Sequence, residues 1–200
     1  MQLVFVCSGN TCRSPLALCA WHLAVQNLGE NLGAGDGEPG EISRGAVRTL
    51  ERIEASSAGL CATPGASAAR YSQRIAQSWG GDLSAHGAQL FRPAHAQSDL
   101  ILTMTADQSA VVRAHFEIGQ SQVRRLGSYA PRRQRRAEAA RFAPLWGDAS
   151  LFSPVMETGS EFDILDPLGG SLEAYEACAA QIRRCVFELA RSLAGFNCQT

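Results

Sequence analysis

The chain reads as a single α/β domain on a parallel sheet. Three observations carry this: short apolar strand-like runs alternate with helix-period segments, the first such pair is joined by a glycine-bearing loop, and one amphipathic helix closes the chain. At 200 residues and 46% hydrophobic content, one sizeable core is affordable and a second domain is not required. The first strand is Gln2 to Val6, β-branched and aromatic, followed by a helix from about Ser14 to Asn27 with Pro15 near its start. Leu16, Cys19, Ala20, Leu23 and Ala24 form the apolar stripe of that helix. A second strand is expected over Arg52–Ser57, a helix over Ala66–Trp79 and a third strand over Asp99–Met104. Thr105 should start the next helix, with Gln108 at capping-box spacing. Val123–Leu126 can form a short fourth strand. The last helix spans about Ser171–Leu193, where Leu172, Tyr175, Cys178, Ile182, Val186, Leu189 and Leu193 share a face. Two stretches break the alternation and read as surface insertions within the domain 1–200. One, at about 29–45, is rich in glycine and acid; the other, at about 127–161, carries Arg132, Arg133, Arg135, Arg136 and Arg141 on what reads as a solvated face.

The bulk chemistry excludes more than it assigns. A formal net charge of −1 offers no field to gather nucleic acid or an anionic membrane, so neither is expected as a partner. The run Leu3–Val6 has no basic flank and is too short for a signal peptide, and no stretch has the apolar length of a membrane span. A soluble cytoplasmic protein is the expectation. Seven cysteines at 7, 12, 19, 61, 178, 185 and 198 form neither a disulfide framework nor zinc-type pairs. Cys19, Cys178 and Cys185 fall on helical faces as core fillers, and Cys61 and Cys198 have no assigned part. His22, His86, His95 and His115 lack ligand spacing, so no metal or other cofactor is expected.

Chemistry concentrates where the first strand meets the first helix, in Cys7-Ser8-Gly9-Asn10-Thr11-Cys12-Arg13. A glycine-bearing turn there can aim consecutive backbone N–H groups inward, and the helix N-terminus adds partial positive charge, which together suit an oxyanion. Arg13 can fold over the cavity and present a planar fork to two phosphoryl oxygens. These groups all favour the anion of Cys7, which is expected to attack phosphorus as a thiolate and form an intermediate that water cleaves. Ser14 can donate to the departing sulfur, and Asn10 tolerates a left-handed backbone and can hold the loop through its side chain. Cys12 is either a small filler or a disulfide partner that shields Cys7. Asp166, followed by Pro167 and two glycines, is either the acid that protonates the leaving group or a cap for the last helix.

Val6 to Pro15 together with Asp166-Pro167 closely resembles the low-molecular-weight protein tyrosine phosphatases, supported by Ser57-Ala58-Gly59 and Asp99–Met104. The resemblance spans most of the chain outside the two insertions. It implies a four-stranded parallel twisted sheet flanked by helices on both faces, no metal, a phosphorylated protein substrate, and the roles given to Cys7, Arg13 and Asp166. Thr11 stands where tyrosine-directed members commonly carry an aliphatic residue, and the protein-arginine phosphatases of the family carry threonine. Asp166–Ser171 also resembles their Asp-Pro-x-Gly-Gly-Ser turn, with Leu168 where phenylalanine is usual. Phosphoarginine is therefore expected ahead of phosphotyrosine, although Thr11 can equally be a packing substitution. Arsenate reduction stays open and would need a cysteine relay through Cys61 or Cys198 to thioredoxin. So does a non-hydrolytic phosphoprotein-binding module.

Overall fold

A computed structural model describes residues 1–31, 41–119, 121–130 and 161–195. Its four strands are β1 (Gln2–Cys7), β2 (Glu54–Gly59), β3 (Leu100–Thr103) and β4 (Val123–Arg125), all parallel and ordered β2-β1-β3-β4. β1 is central and buried from Leu3 onward on both faces, which explains an uninterrupted apolar run in place of alternation. Its register pairs Cys7 with Gly59 and Val6 with Thr103, so three strands deliver their carboxyl ends to one edge. That edge is where open parallel sheets place ligands.

The helices are α1 (Arg13–Asn31), α2 (Glu41–Glu51), α3 (Arg70–Ser78), α4 (Pro93–Ala96), α5 (Ala106–Phe116) and α6 (Leu172–Leu193). On one face Leu3 and Phe5 of the sheet meet Leu16, Ala20 and Trp21 of α1 and Ile182, Val186 and Leu189 of α6. On the other, Val4, Val6, Ile101 and Val123 meet Val112 of α5 and Phe91. Each fully buried large side chain contributes roughly 1.5–3 kcal/mol, and the two layers together fix how the loop after β1 faces the ends of its neighbours. Among the described residues no helix is long and apolar enough to cross a membrane.

Several element limits differ from expectation for identifiable reasons. α1 continues to Asn31 and α2 begins at Glu41, so both ends of the segment read as the first insertion are helical. Leu50 of α2 is buried in the core. Residues 32–40 lie outside the described ones. α3 starts four residues later than predicted because Ala66 and Ala69 are tied elsewhere: Ala69 N–H donates to Thr11 O at 2.8 Å, and Ala88 N–H to Ala66 O at 2.8 Å. The start of the second predicted insertion is core, since Gly127 and Ala130 are buried in and just after a 3-10 turn, Leu126–Tyr129. Residues 131–160, with the arginine cluster, again lie outside the described ones.

Candidate active site

The segment between β1 and α1 has no room to drift. Leu60 N–H donates to Cys7 O at 2.9 Å and Cys61 N–H to Ser8 O at 2.8 Å, extending the β2 pairing over the loop. Gly59 is required beneath it, because a Cβ there would lie 2.6 Å from Ser8 O, 2.7 Å from Asn10 N and 2.9 Å from Gly9 C. Asn10 is the keystone, fully buried with φ 53°, the left-handed conformation that asparagine tolerates better than most residues. Its side-chain nitrogen donates to Ser14 Oγ and Ser57 Oγ, both at 2.9 Å, and its side-chain oxygen accepts from Gln89 N–H at 2.7 Å. Its backbone carbonyl accepts from His86 Nε2 at 2.7 Å.

Cys7 sits at the floor, 2% exposed. Asn10 N–H points at its sulfur at 3.3 Å, and Ser14 Oγ lies 3.0 Å away. Both groups can donate to an anionic sulfur. Arg13 is 2% exposed and is the first residue of α1, whose N-terminus therefore opens onto the same space. Its Nη1 donates to Ile164 O at 3.1 Å, and its Nη2 to Ser8 Oγ at 3.3 Å and to the Asp166 carboxylate. Its buried Nε has no hydrogen-bond partner among the described residues, which leaves a donor for an anion in the cavity.

Asp166 is thereby brought beside Arg13 across 153 residues of sequence. It does not cap α6: Ser171 Oγ does, accepting from Ala174 N–H at 3.4 Å. Asp166 Oδ1 instead accepts from Leu168 N–H at 3.2 Å, and the carboxylate is partly exposed. Leu168 is largely exposed next to it. Thr11 is half-buried, its hydroxyl 3.7 Å from Cys12 Sγ. Cys12 is a free buried thiol 3.4 Å from the Tyr175 hydroxyl, and burial pushes it above its ordinary value against the opposing bond from Tyr175. Tyr175 is itself braced edge-on by the Tyr71 ring at 5.2 Å. Among the described residues no three His, Cys, Asp or Glu side chains are placed to hold a metal ion.

Five residues of this constellation carried no site signal in the sequence: Ser57, His86, Gln89, Tyr175 and Gln108, whose Nε2 donates to Ser8 Oγ at 3.1 Å. Ser57 stood within the supporting Ser-Ala-Gly segment, and Gln108 was read only as a cap. The other three are common residue types whose contacts exist only once the chain is folded.

The family model described as low molecular weight phosphotyrosine protein phosphatase matches residues 42–158, more than half of the chain. The chain belongs to this family. The match lies between Arg13 and Asp166, so it is independent of the two segments that hold the candidate residues Cys7, Arg13 and Asp166. As a member the protein is a hydrolase, a low-molecular-weight phosphoprotein phosphatase. It is 26% identical over 193 residues to a protein-arginine-phosphatase of Bacillus subtilis (strain 168), covering 96% of this chain and 97% of the relative. Solved structures share the fold, two of them as follows. One is the YwlE arginine phosphatase in a mutant with a phosphorylated active-site serine, with TM-score 0.66 and 23% identity over 96% of this chain and 95% of that one. The other is a low molecular weight protein tyrosine phosphatase from T. tengcongensis, with TM-score 0.65 and 22% identity over 96% and 99%.

Proposed function

We propose that the protein removes phosphate from phosphoarginine side chains of proteins, with Cys7 as nucleophile, Arg13 as the phosphate clamp and Asp166 as general acid and base. The observation that carries the site assignment is the convergence of these three groups, remote in sequence for Asp166, on one loop whose buried donors face inward. A phosphoryl group entering the cradle takes the loop N–H groups, the free Nε of Arg13 and the Nη2 now held by Asp166. Asp166 is then released beside the leaving group, where a proton from solvent makes it the acid of the first step. The sulfur of Cys7 attacks phosphorus in line, the P–N bond breaks, and the departing guanidine nitrogen takes its proton from Asp166. In the second step water, deprotonated by the Asp166 carboxylate, attacks phosphorus and expels the sulfur, which Ser14 and Asn10 N–H stabilise as it leaves.

The leaving group is the finer question. Phosphoarginine is supported by Thr11, half-buried and polar in the loop, and by relatives named protein-arginine-phosphatase over almost the whole chain. Leu60, Cys61 and Leu168 supply no aromatic wall for a phenol ring. A cytoplasmic location accords with a nucleophile that works only as a free thiol. Matched phosphoarginine and phosphotyrosine peptides decide the substrate: we expect a kcat/KM at least about tenfold higher on phosphoarginine. Turnover of phosphotyrosine alone would show a tyrosine phosphatase. Arsenate reduction coupled to thioredoxin, if observed, would place the loop in redox chemistry instead. A phosphoprotein-binding module is ruled out when wild type hydrolyses an aryl phosphate and Cys7→Ser does not.

A further inference from the structure

Gln108 lies in the first turn of α5, buried, 100 positions from Ser8. A capping box would turn its side chain back to Thr105 N–H. That is not what it does. Thr105 Oγ1 accepts from Gln108 N–H at 3.3 Å, but the Gln108 side chain accepts from Met104 N–H at 3.0 Å and donates through Nε2 to Ser8 Oγ at 3.1 Å. A main-chain N–H can only donate, so the contact with Met104 settles which end of the amide faces Ser8.

Ser8 Oγ also receives Arg13 Nη2 at 3.3 Å. A hydroxyl has two acceptor positions and one proton. Both of its neighbours here are donors without acceptor capacity at the contacting atom, so the proton is left for a third group, and that group has to be an acceptor. Ser8 directly follows the nucleophile and is half-exposed, whereas Gln108 and Arg13 are buried behind it. A phosphoryl oxygen is the acceptor that the substrate brings to that open side.

We propose that Gln108 is a positioning residue for the phosphatase reaction: it orients the Ser8 hydroxyl as a donor to a non-bridging phosphoryl oxygen and, through Ser8, steadies Nη2 of Arg13. This rests on the reading of the loop as a phosphate cradle. It adds a side-chain donor to the backbone donors, controlled from a different element of the fold.

The test uses inorganic phosphate as a competitive inhibitor of aryl phosphate hydrolysis, with melting temperatures taken alongside. Gln108→Met keeps the length and removes both polar ends. Gln108→Glu keeps the acceptor for Met104 N–H but presents Ser8 with a second acceptor, which draws the hydroxyl proton away from the cavity. With Ser8 in place, each variant is expected to raise the phosphate inhibition constant about tenfold; in a Ser8→Ala background each should change it less than about twofold. The loss of the Met104 bond lowers the melting temperature of Gln108→Met equally in both backgrounds, a change that the inhibition constant does not follow. Equal factors in the two backgrounds overturn the proposal, as does an unchanged constant in Ser8→Ala alone. Should Gln108→Met not fold, Gln108→Glu decides by the same comparison. Failure of inorganic phosphate to inhibit the wild type at all would instead sink the cradle reading itself, an outcome distinct from additivity at Gln108.

Discussion

Asn10 shows how much a single residue carries here. Its left-handed backbone aims Asn10 N–H at Cys7, and its side chain joins Ser14, Ser57 and Gln89 in one network. Asn10→Ala keeps the unfavourable backbone and removes the side-chain partner of the buried Ser57 hydroxyl and of Gln89 N–H, together with one of the bonds to Ser14. We expect a loss of about 2–4 kcal/mol in denaturant unfolding, with activity falling alongside. Asp166→Asn retains the shape but has no proton to give, so kcat on a substrate with a poor leaving group should drop by roughly 10²–10⁴-fold, and far less on an activated aryl phosphate. Equal losses on both substrates would argue that Asp166 only holds Arg13. For Thr11, the replacement Thr11→Ile keeps the branch and removes the hydroxyl, and the ratio of kcat/KM on phosphoarginine over phosphotyrosine peptides should fall about tenfold or more. An unchanged ratio makes it a packing substitution. The loop residues were legible because they are contiguous and because glycine, asparagine, arginine and proline have restricted uses at such a turn. Asp166 was legible through its proline and glycines. Ser57, His86, Gln89 and Tyr175 were not, since ordinary serine, histidine, glutamine and tyrosine acquire a partner only through the fold.

At the scale of elements, the site is held by close backbone approach. The end of β2 lies under the loop without space for a side chain at Gly59, and the 3-10 turn after β4 meets the segment before Asp166 in the same way. A Cβ on Gly127 would sit 2.1 Å from Phe162 O. That segment is further seated by Ile164 N–H on Met104 O at 2.8 Å and by Asp163, which accepts from Ala106 N–H at 3.0 Å and from Arg125 Nη1 at 3.2 Å. Gly127→Ala should therefore push the acid-bearing segment outward, costing about 1–3 kcal/mol in thermal or denaturant unfolding and lowering kcat more than phosphate affinity. Normal stability with normal kcat would contradict this account. The same closeness explains the late start of α3: Ala66–Ala69 has adequate helix propensity, but bonds to Thr11 and Ala88 outweigh it, and a propensity reading cannot see them.

For the whole molecule, burial sets a window of pH. It pushes the Cys178 thiol, the Tyr175 hydroxyl and the Cys12 thiol above their ordinary values of 9.0, 10.0 and 9.0, so the folded protein holds these protons more tightly than the unfolded chain. Their contribution is complete below about pH 9 and lost as pH rises past it. Burial of His95 acts in the opposite sense, lowering it from 6.5, so its contribution is present above that pH and lost as pH falls. Melting temperature should be flat between about pH 7 and 9 and decline on either side; a continued rise through pH 10 would be inconsistent with these groups. The sequence by itself determined the α/β class, the order of the strands along the chain, and a candidate site at the first strand-to-helix turn, because hydrophobic periodicity and turn chemistry are local properties. Tertiary structure alone decided the strand order β2-β1-β3-β4, the meeting of Arg13 with Asp166 and the seating of Ser8 on Gln108. Those depend on which distant segments the two packed layers bring to one sheet edge, and no local pattern encodes a contact across a hundred residues.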